Sequence, residues 1–197
     1  MTYAYNDKGR QRMLPNRRAR SAITIVAMAL TATLAILLPI TAQAHGPTRQ
    51  KVVEKVVIDA PPSVVWARMG NFDALKNWHP AVADSPADKG NAEGSVRQVT
   101  LKSGGALTET VESYDGAKMK YSYRAKDGGA LPVTNYTSTI TVTAEGSGSV
   151  VEWRGAFYRG YPNNDPPPDQ NDEAAVRAIT GVYQSGLANL KKLVEGK

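Results

Sequence analysis

The chain has 197 residues, a formal net charge of +6 and no cysteine. Disulfides, thiolate metal sites, covalently attached haem and a cysteine nucleophile are therefore excluded. The positive excess belongs to the first 44 residues, where Lys8, Arg10, Arg12, Arg17, Arg18 and Arg20 face only Asp7; the remainder holds 18 basic and 17 acidic residues, a net +1, so no nucleic-acid partner is expected.

Behind the basic lead, residues 22–38 form an uncharged apolar run that ends at Pro39 and is followed by Ala42-Gln43-Ala44. A basic region, an apolar run and a small-x-small site make a secretory signal peptide. Cleavage is expected after Ala44, giving a periplasmic protein that begins at His45 and has no membrane contact. The rival is an uncleaved anchor, because the run is at the lower edge of a spanning length. Arg17-Arg18 lacks a following Phe-Leu-Lys, which favours the general secretory route over the twin-arginine one. Residues 45–197 are enough for one core, and neither a repeat nor a second domain is visible.

Residues 52–59, rich in Val and Ile, predict a strand that Pro61-Pro62 stops. The second proline suits the first turn of a helix over 63–69, which Gly70-Asn71 ends. A further short helix is predicted over 72–77, running into Trp78-His79-Pro80, and 86–94 reads as loop. Alternation then predicts strands over 96–101, 107–114, 118–124, 134–144 and 150–158, punctuated by Ser103-Gly104-Gly105, Asp115-Gly116, Asp127-Gly128-Gly129 and Glu145-Gly146-Ser147-Gly148. Short links between consecutive strands make an antiparallel meander.

Residues 161–171, with Pro162, Pro166, Pro167 and Pro168, predict a stiff loop into a helix over 173–193. Val176, Ile179, Tyr183, Gly186, Leu190 and Val194 recur on one face of that helix, flanked by Ala175, Val182 and Leu193. Asp169, Asp172 and Glu173 at its start and Lys191, Lys192 and Lys197 at its end oppose the helix dipole. A lone long helix after an antiparallel run is best buried in a curved sheet. Gly186 leaves a gap on the stripe for a sheet residue or a ligand.

The predicted order is α+β: a strand, two short helices, five strands and a long C-terminal helix, hence a sheet of about six strands. It resembles the helix-grip fold of the START-like superfamily, also called SRPBCC or polyketide cyclase/dehydrase-like proteins. The marks are Ile58-Asp59-Ala60-Pro61 before Val64-Val65-Trp66, Asn71-Phe72 through Trp78-His79-Pro80, Gly94-Ser95-Val96-Arg97, and Val151-Glu152-Trp153-Arg154. Longer strings are similar to the periplasmic MxaD-type proteins of methanol oxidation. They are His45-Gly46-Pro47-Thr48, the stretch from Leu131 to Tyr136, and Arg154-Gly155-Ala156-Phe157-Tyr158-Arg159 continuing to Pro168. That resemblance implies a non-enzymatic accessory with no cofactor, acting beside methanol dehydrogenase and its cytochrome c. The alternative is a binding protein, or a cyclase- or hydratase-like enzyme, for a small hydrophobic ligand in the grip cavity.

In such a fold the concave face lines a cavity. Period-2 reading puts Met119, Tyr121 and Tyr123 on one face of their strand. Val151, Trp153, Gly155 and Phe157 share a face of the last strand. Trp66, Trp78, His79, Tyr183 and Gly186 complete the candidate cavity set; these aromatics either wall a cavity or simply fill the core. Arg97 and Glu109 fall nearly opposite each other across a hairpin, as a polar anchor for a ligand, a structural ion pair or two solvated residues. His79 could titrate as an acid or base, but no Ser, Asp or Glu stands at a spacing that completes a catalytic set, so a packing role is expected and no catalytic residue is assigned. No metal is expected; the one metal hypothesis is copper held by a freed His45 with His79. Asn135-Tyr136-Thr137 matches a glycosylation sequon, which carries little weight in a bacterial secreted protein. The proline loop offers Tyr158, Arg159, Tyr161, Asn163, Asn164 and Asp165 either as a rigid partner surface or as a mere connector.

Overall fold

The computed structural model describes residues 46–196. The expected signal peptide, its expected cleavage point and His45 lie outside the described residues. Strand β1 (Gln50–Ile58) leads through Pro61-Pro62 into helix α1 (Pro62–Met69), a 3-10 turn (Phe72–Ala74) and the one-turn helix α2 (Leu75–Trp78). Six strands follow: β2 (Val82–Asp84), β3 (Val96–Leu101), β4 (Ala106–Asp115), β5 (Lys120–Ala125), β6 (Val133–Glu145) and β7 (Gly148–Arg159). Helix α3 (Asp172–Glu195) closes the chain. The strands form one antiparallel sheet in the order β1-β7-β6-β5-β4-β3-β2, so β1 crosses over to pair with the last strand.

The sheet therefore has seven strands where the alternation predicts six. The extra one, β2, holds three residues with a single buried Val82 and pairs only with β3. So short a segment has no period to read. A second departure is at Met119, predicted as the inward partner of Tyr121 and Tyr123. It lies before β5 with φ at +49°, in a turn, and is only partly buried.

Helix α3 is written at both ends. The Asn171 side chain accepts from the Ala174 N–H at 2.8 Å, Asp172 and Glu173 occupy the first turn, and Gly196 caps the far end with φ at +69°. Ala175, Ile179, Tyr183, Gly186, Leu187 and Leu190 are buried, whereas Leu193 stays exposed. Leu187 extends the stripe by one row. The helix end is tied to β1 by Lys191 donating to the Val57 carbonyl at 2.6 Å and by the Asp59 N–H donating to Glu195 at 2.9 Å. The core lies between this stripe, α1 and α2, and the inward rows of the sheet.

Candidate functional site

The inner ends of β3 and β4 are held by one charge pair. Arg97 and Glu109 are direct cross-strand partners, and both are buried, at 1% and 3% exposure. Arg97 donates to Glu109 Oε2 from Nε at 2.9 Å and from Nη2 at 2.6 Å, and Nη1 donates to the Phe72 carbonyl. Its guanidinium carbon stands 4.0 Å from the Phe72 ring centroid and 5.3 Å from that of Tyr123. Burial opposes the charge on Arg97, but the Glu109 carboxylate together with Tyr121 and Tyr123 outweighs it and the pKa rises, so the guanidinium stays protonated.

A hydroxyl network crosses the interior behind this pair. The Trp153 indole donates to Ser138 Oγ at 2.8 Å and to Tyr123 Oη at 3.2 Å. Tyr183 Oη bonds Ser138 at 3.0 Å and Tyr136 Oη at 2.8 Å, and Ser138 donates to the Arg154 carbonyl. Trp153 and Tyr183 stack with centroids 4.4 Å apart. Gly155 makes that stack possible, because a Cβ there would strike the Tyr183 hydroxyl. Burial raises the pKa of Tyr123, Tyr136 and Tyr183, and pushes Tyr121 up to about 12, so all four remain neutral hydroxyls.

His79 is satisfied on both sides. Nε2 stands 3.0 Å from the Val182 carbonyl and Nδ1 accepts from the Ala81 N–H at 3.2 Å, which fixes the neutral Nε2–H tautomer. Burial lowers its pKa below 6.5. The gap at Gly186 is filled by this ring and by Trp153, since a Cβ would lie 2.6 Å from His79 Cδ2 and 3.0 Å from Trp153 Cζ3.

Between these groups and the sheet lies a cavity of about 90 Å³. Of the predicted cavity set, His79, Glu109, Tyr123 and Trp153 line it. The others fill space: Arg97 stands behind Glu109, Trp78 and Tyr183 pack on Trp153, and Tyr121 sits among Trp66, Phe72 and Tyr114. Phe157 packs on Tyr136, and Trp66 is half-buried against Tyr114. Large aromatics close most of the volume that a curved sheet would otherwise enclose.

The remaining lining is apolar: Leu75, Val82, Val99, Leu107, Leu131 and Tyr136 among others. Tyr136 faces inward in step with Ser138, Ile140 and Val142, and the register shift between Thr134 and Thr137, with Asn135 at φ +50°, turns Val133 inward as well. Ala81 is the exposed lining residue and Leu131 and Val182 are half-buried, which puts the mouth between the start of β2, the β5–β6 loop and α3. A larger groove of about 340 Å³ crosses the convex face over Lys51, Thr139 and Arg154, but it is open and lined by solvated side chains.

The second predicted site is the loop after β7. Asn163, Asn164 and Asp165 are exposed, and Tyr158 and Tyr161 half-buried. Arg159 is not on this surface: it is 4% exposed. It continues the inward row of Phe157, and its guanidinium donates to the carbonyls of Tyr161 at 3.1 Å and Asn163 at 2.9 Å and to Asp172 at 3.1 Å. Asp172 in turn accepts from Thr48 Oγ at 2.6 Å. One buried arginine thus binds the loop to the start of α3, and Asp172 ties in Thr48 ahead of β1.

The chain belongs to the polyketide cyclase/dehydrase and lipid transport family, whose model matches residues 49–195. Among solved structures it is similar to XoxI from Bacillus cereus, with 28% identity over 74% of this chain and 95% of that one and a TM-score of 0.63. An uncharacterised protein from Bacillus thuringiensis is 28% identical over 74% of this chain and 99% of that one, again with a TM-score of 0.63. Ara h 8.0201, at 18% identity over 76% of this chain and 100% of that one with a TM-score of 0.59, shares the fold. Among curated proteins none matches the chain. The fold is the START-like helix grip, an α+β architecture of a ligand-binding type.

Proposed function

We propose that this domain binds a small, mainly apolar molecule in the cavity between α3 and the sheet and does not transform it. The observation that carries this is the cavity itself: about 90 Å³, apolar around most of its wall, with the Glu109 carboxylate and the Tyr123 ring at the wall. Ligand holding rather than chemistry is supported by the state of the titratable groups. Both nitrogens of His79 are engaged, so the imidazole of the wall is committed to hydrogen bonds within the protein. Native mass spectrometry of the purified protein should show a co-purifying small molecule, and Leu131→Trp should remove it by filling the mouth. A protein that carries no adduct and gives no saturable shift with any small apolar probe would defeat the reading.

The loop after β7 favours a second role compatible with the first: a periplasmic accessory of methanol oxidation that assists methanol dehydrogenase and its cytochrome c. The strings shared with MxaD-type proteins support it. So does Arg159, which fixes the backbone of Tyr161 and Asn163 while Asn163, Asn164 and Asp165 stay exposed, so a partner meets a surface already ordered. The purified protein should raise the rate of electron transfer from dehydrogenase to cytochrome c. Asn163→Ala with Asp165→Ala should weaken that effect without lowering thermal stability. An unchanged rate on adding the protein would remove this role.

A further inference from the structure

Glu109 lines the cavity yet is almost wholly buried, and both of its bonds from Arg97 arrive at Oε2. Oε1 accepts no hydrogen bond from any described residue. A carboxylate oxygen carries two lone pairs, and one on a cavity wall without a protein donor takes its donors from whatever fills the cavity. The cavity therefore has a wall that asks for a donor. Arg97 already neutralises the carboxylate, so a cationic ligand would bring an unpaired charge into the interior and an anion would be repelled by Oε1. A neutral donor satisfies both conditions. A hydroxyl does so with the fewest atoms, which matters in a space of about three water volumes.

On the reading that the cavity holds a ligand, we infer that the ligand is a small neutral alcohol, its hydroxyl donating to Glu109 Oε1 and its short apolar body lying against Leu75, Val82, Val99 and Leu107. Of the other polar atoms of the wall, His79 is bonded at both nitrogens, and Tyr123 Oη accepts from Trp153 and keeps one O–H, which an alcohol's oxygen can accept while its own hydrogen goes to Glu109. The carboxylate oxygen thus sets the ligand's orientation.

Two isomers of one formula, 1-butanol and diethyl ether, separate this inference from the reading beneath it. Each is titrated into the purified protein while the Trp153 indole N–H resonance is followed by NMR. The alcohol is expected to bind about tenfold or more tightly than the ether, which can only accept. Equal binding overturns the hydroxyl inference and leaves the cavity reading standing. Saturable binding of neither overturns the cavity reading, and the inference falls with it. The preference should collapse to about equal in the double variant Arg97→Met with Glu109→Leu, which removes the carboxylate without stranding a charge. A preference that survives there, or alcohol shifts that survive Leu131→Trp, would place the hydroxyl elsewhere and overturn the inference.

Discussion

Two buried arginines organise two different regions. Arg97 spends its guanidinium on a carboxylate directly across the strand and on the faces of Phe72 and Tyr123, deep in the sheet. Arg159, at the end of β7, gives two of its donors to the carbonyls of Tyr161 and Asn163, and one to Asp172 at the start of α3. The first fixes side chains around a cavity and the second fixes backbone at the surface. The lesson is that a buried charge can serve as a brace for a pocket or as a clamp for a loop, depending on whether its partners are side chains or main chain.

Breaking each arginine should therefore have different consequences. Arg97→Met strands the Glu109 carboxylate in the interior, and urea unfolding should show a loss of about 3–5 kcal/mol. Replacing Glu109 as well should recover most of it; a double variant as unstable as the single one would mean that the pair is held for reasons other than charge. Next in size is Gly186→Ala, whose new Cβ meets the His79 and Trp153 rings, both walled in; about 1–3 kcal/mol is expected in the same assay. Full stability there would show that the pocket side has more give than the contacts imply.

Arg159→Met should cost less, about 1–2 kcal/mol, because the freed carbonyls lie near the surface and can turn to water. Its larger effect is local. Limited proteolysis should cut the loop between residues 160 and 171 faster than in the parent, and an unchanged cleavage rate would show that the prolines alone hold it.

The smallest effects are in pH, and they separate the two regions. Burial holds the His79 pKa below 6.5 in the folded state, so below that pH the unfolded chain binds a proton that the folded one does not. Stability is complete above 6.5 and falls as the pH drops toward the folded value; His79→Gln should flatten this limb of the curve. Asp172 responds in acid. Burial acts to raise its pKa, but hydrogen bonds from Thr48 and Arg159 prevail and depress it below 3.8. Its contribution is therefore present above that pH and lost as the pH falls through the depressed value, and Thr48→Val should weaken this acid limb alone.

How far the sequence reaches is visible in the same two arginines. The pairing of Arg97 with Glu109 follows from counting alternate residues away from Ser103-Gly104-Gly105, because a hairpin's turn fixes its register. The inward turn of Arg159 follows from the parity of Phe157, yet the loop motif around it suggests a surface, and no pattern says where a guanidinium finds carbonyls. Of the inward row, Trp153 and Tyr123 were legible from period 2, whereas Met119 is displaced by its own left-handed backbone, which the alternation does not mark.

The order of elements apart from β2, the stripe on the last helix, the acidic start of that helix and the parity of most inward residues were determined by the sequence alone, because they depend on spacing along a few turns or rungs. Which of those inward residues enclose space and which fill it was decided only by the tertiary structure. A cavity is what remains after Trp78, Tyr121, Phe157 and Tyr183 have packed against residues far away in the chain, and no local pattern records that remainder.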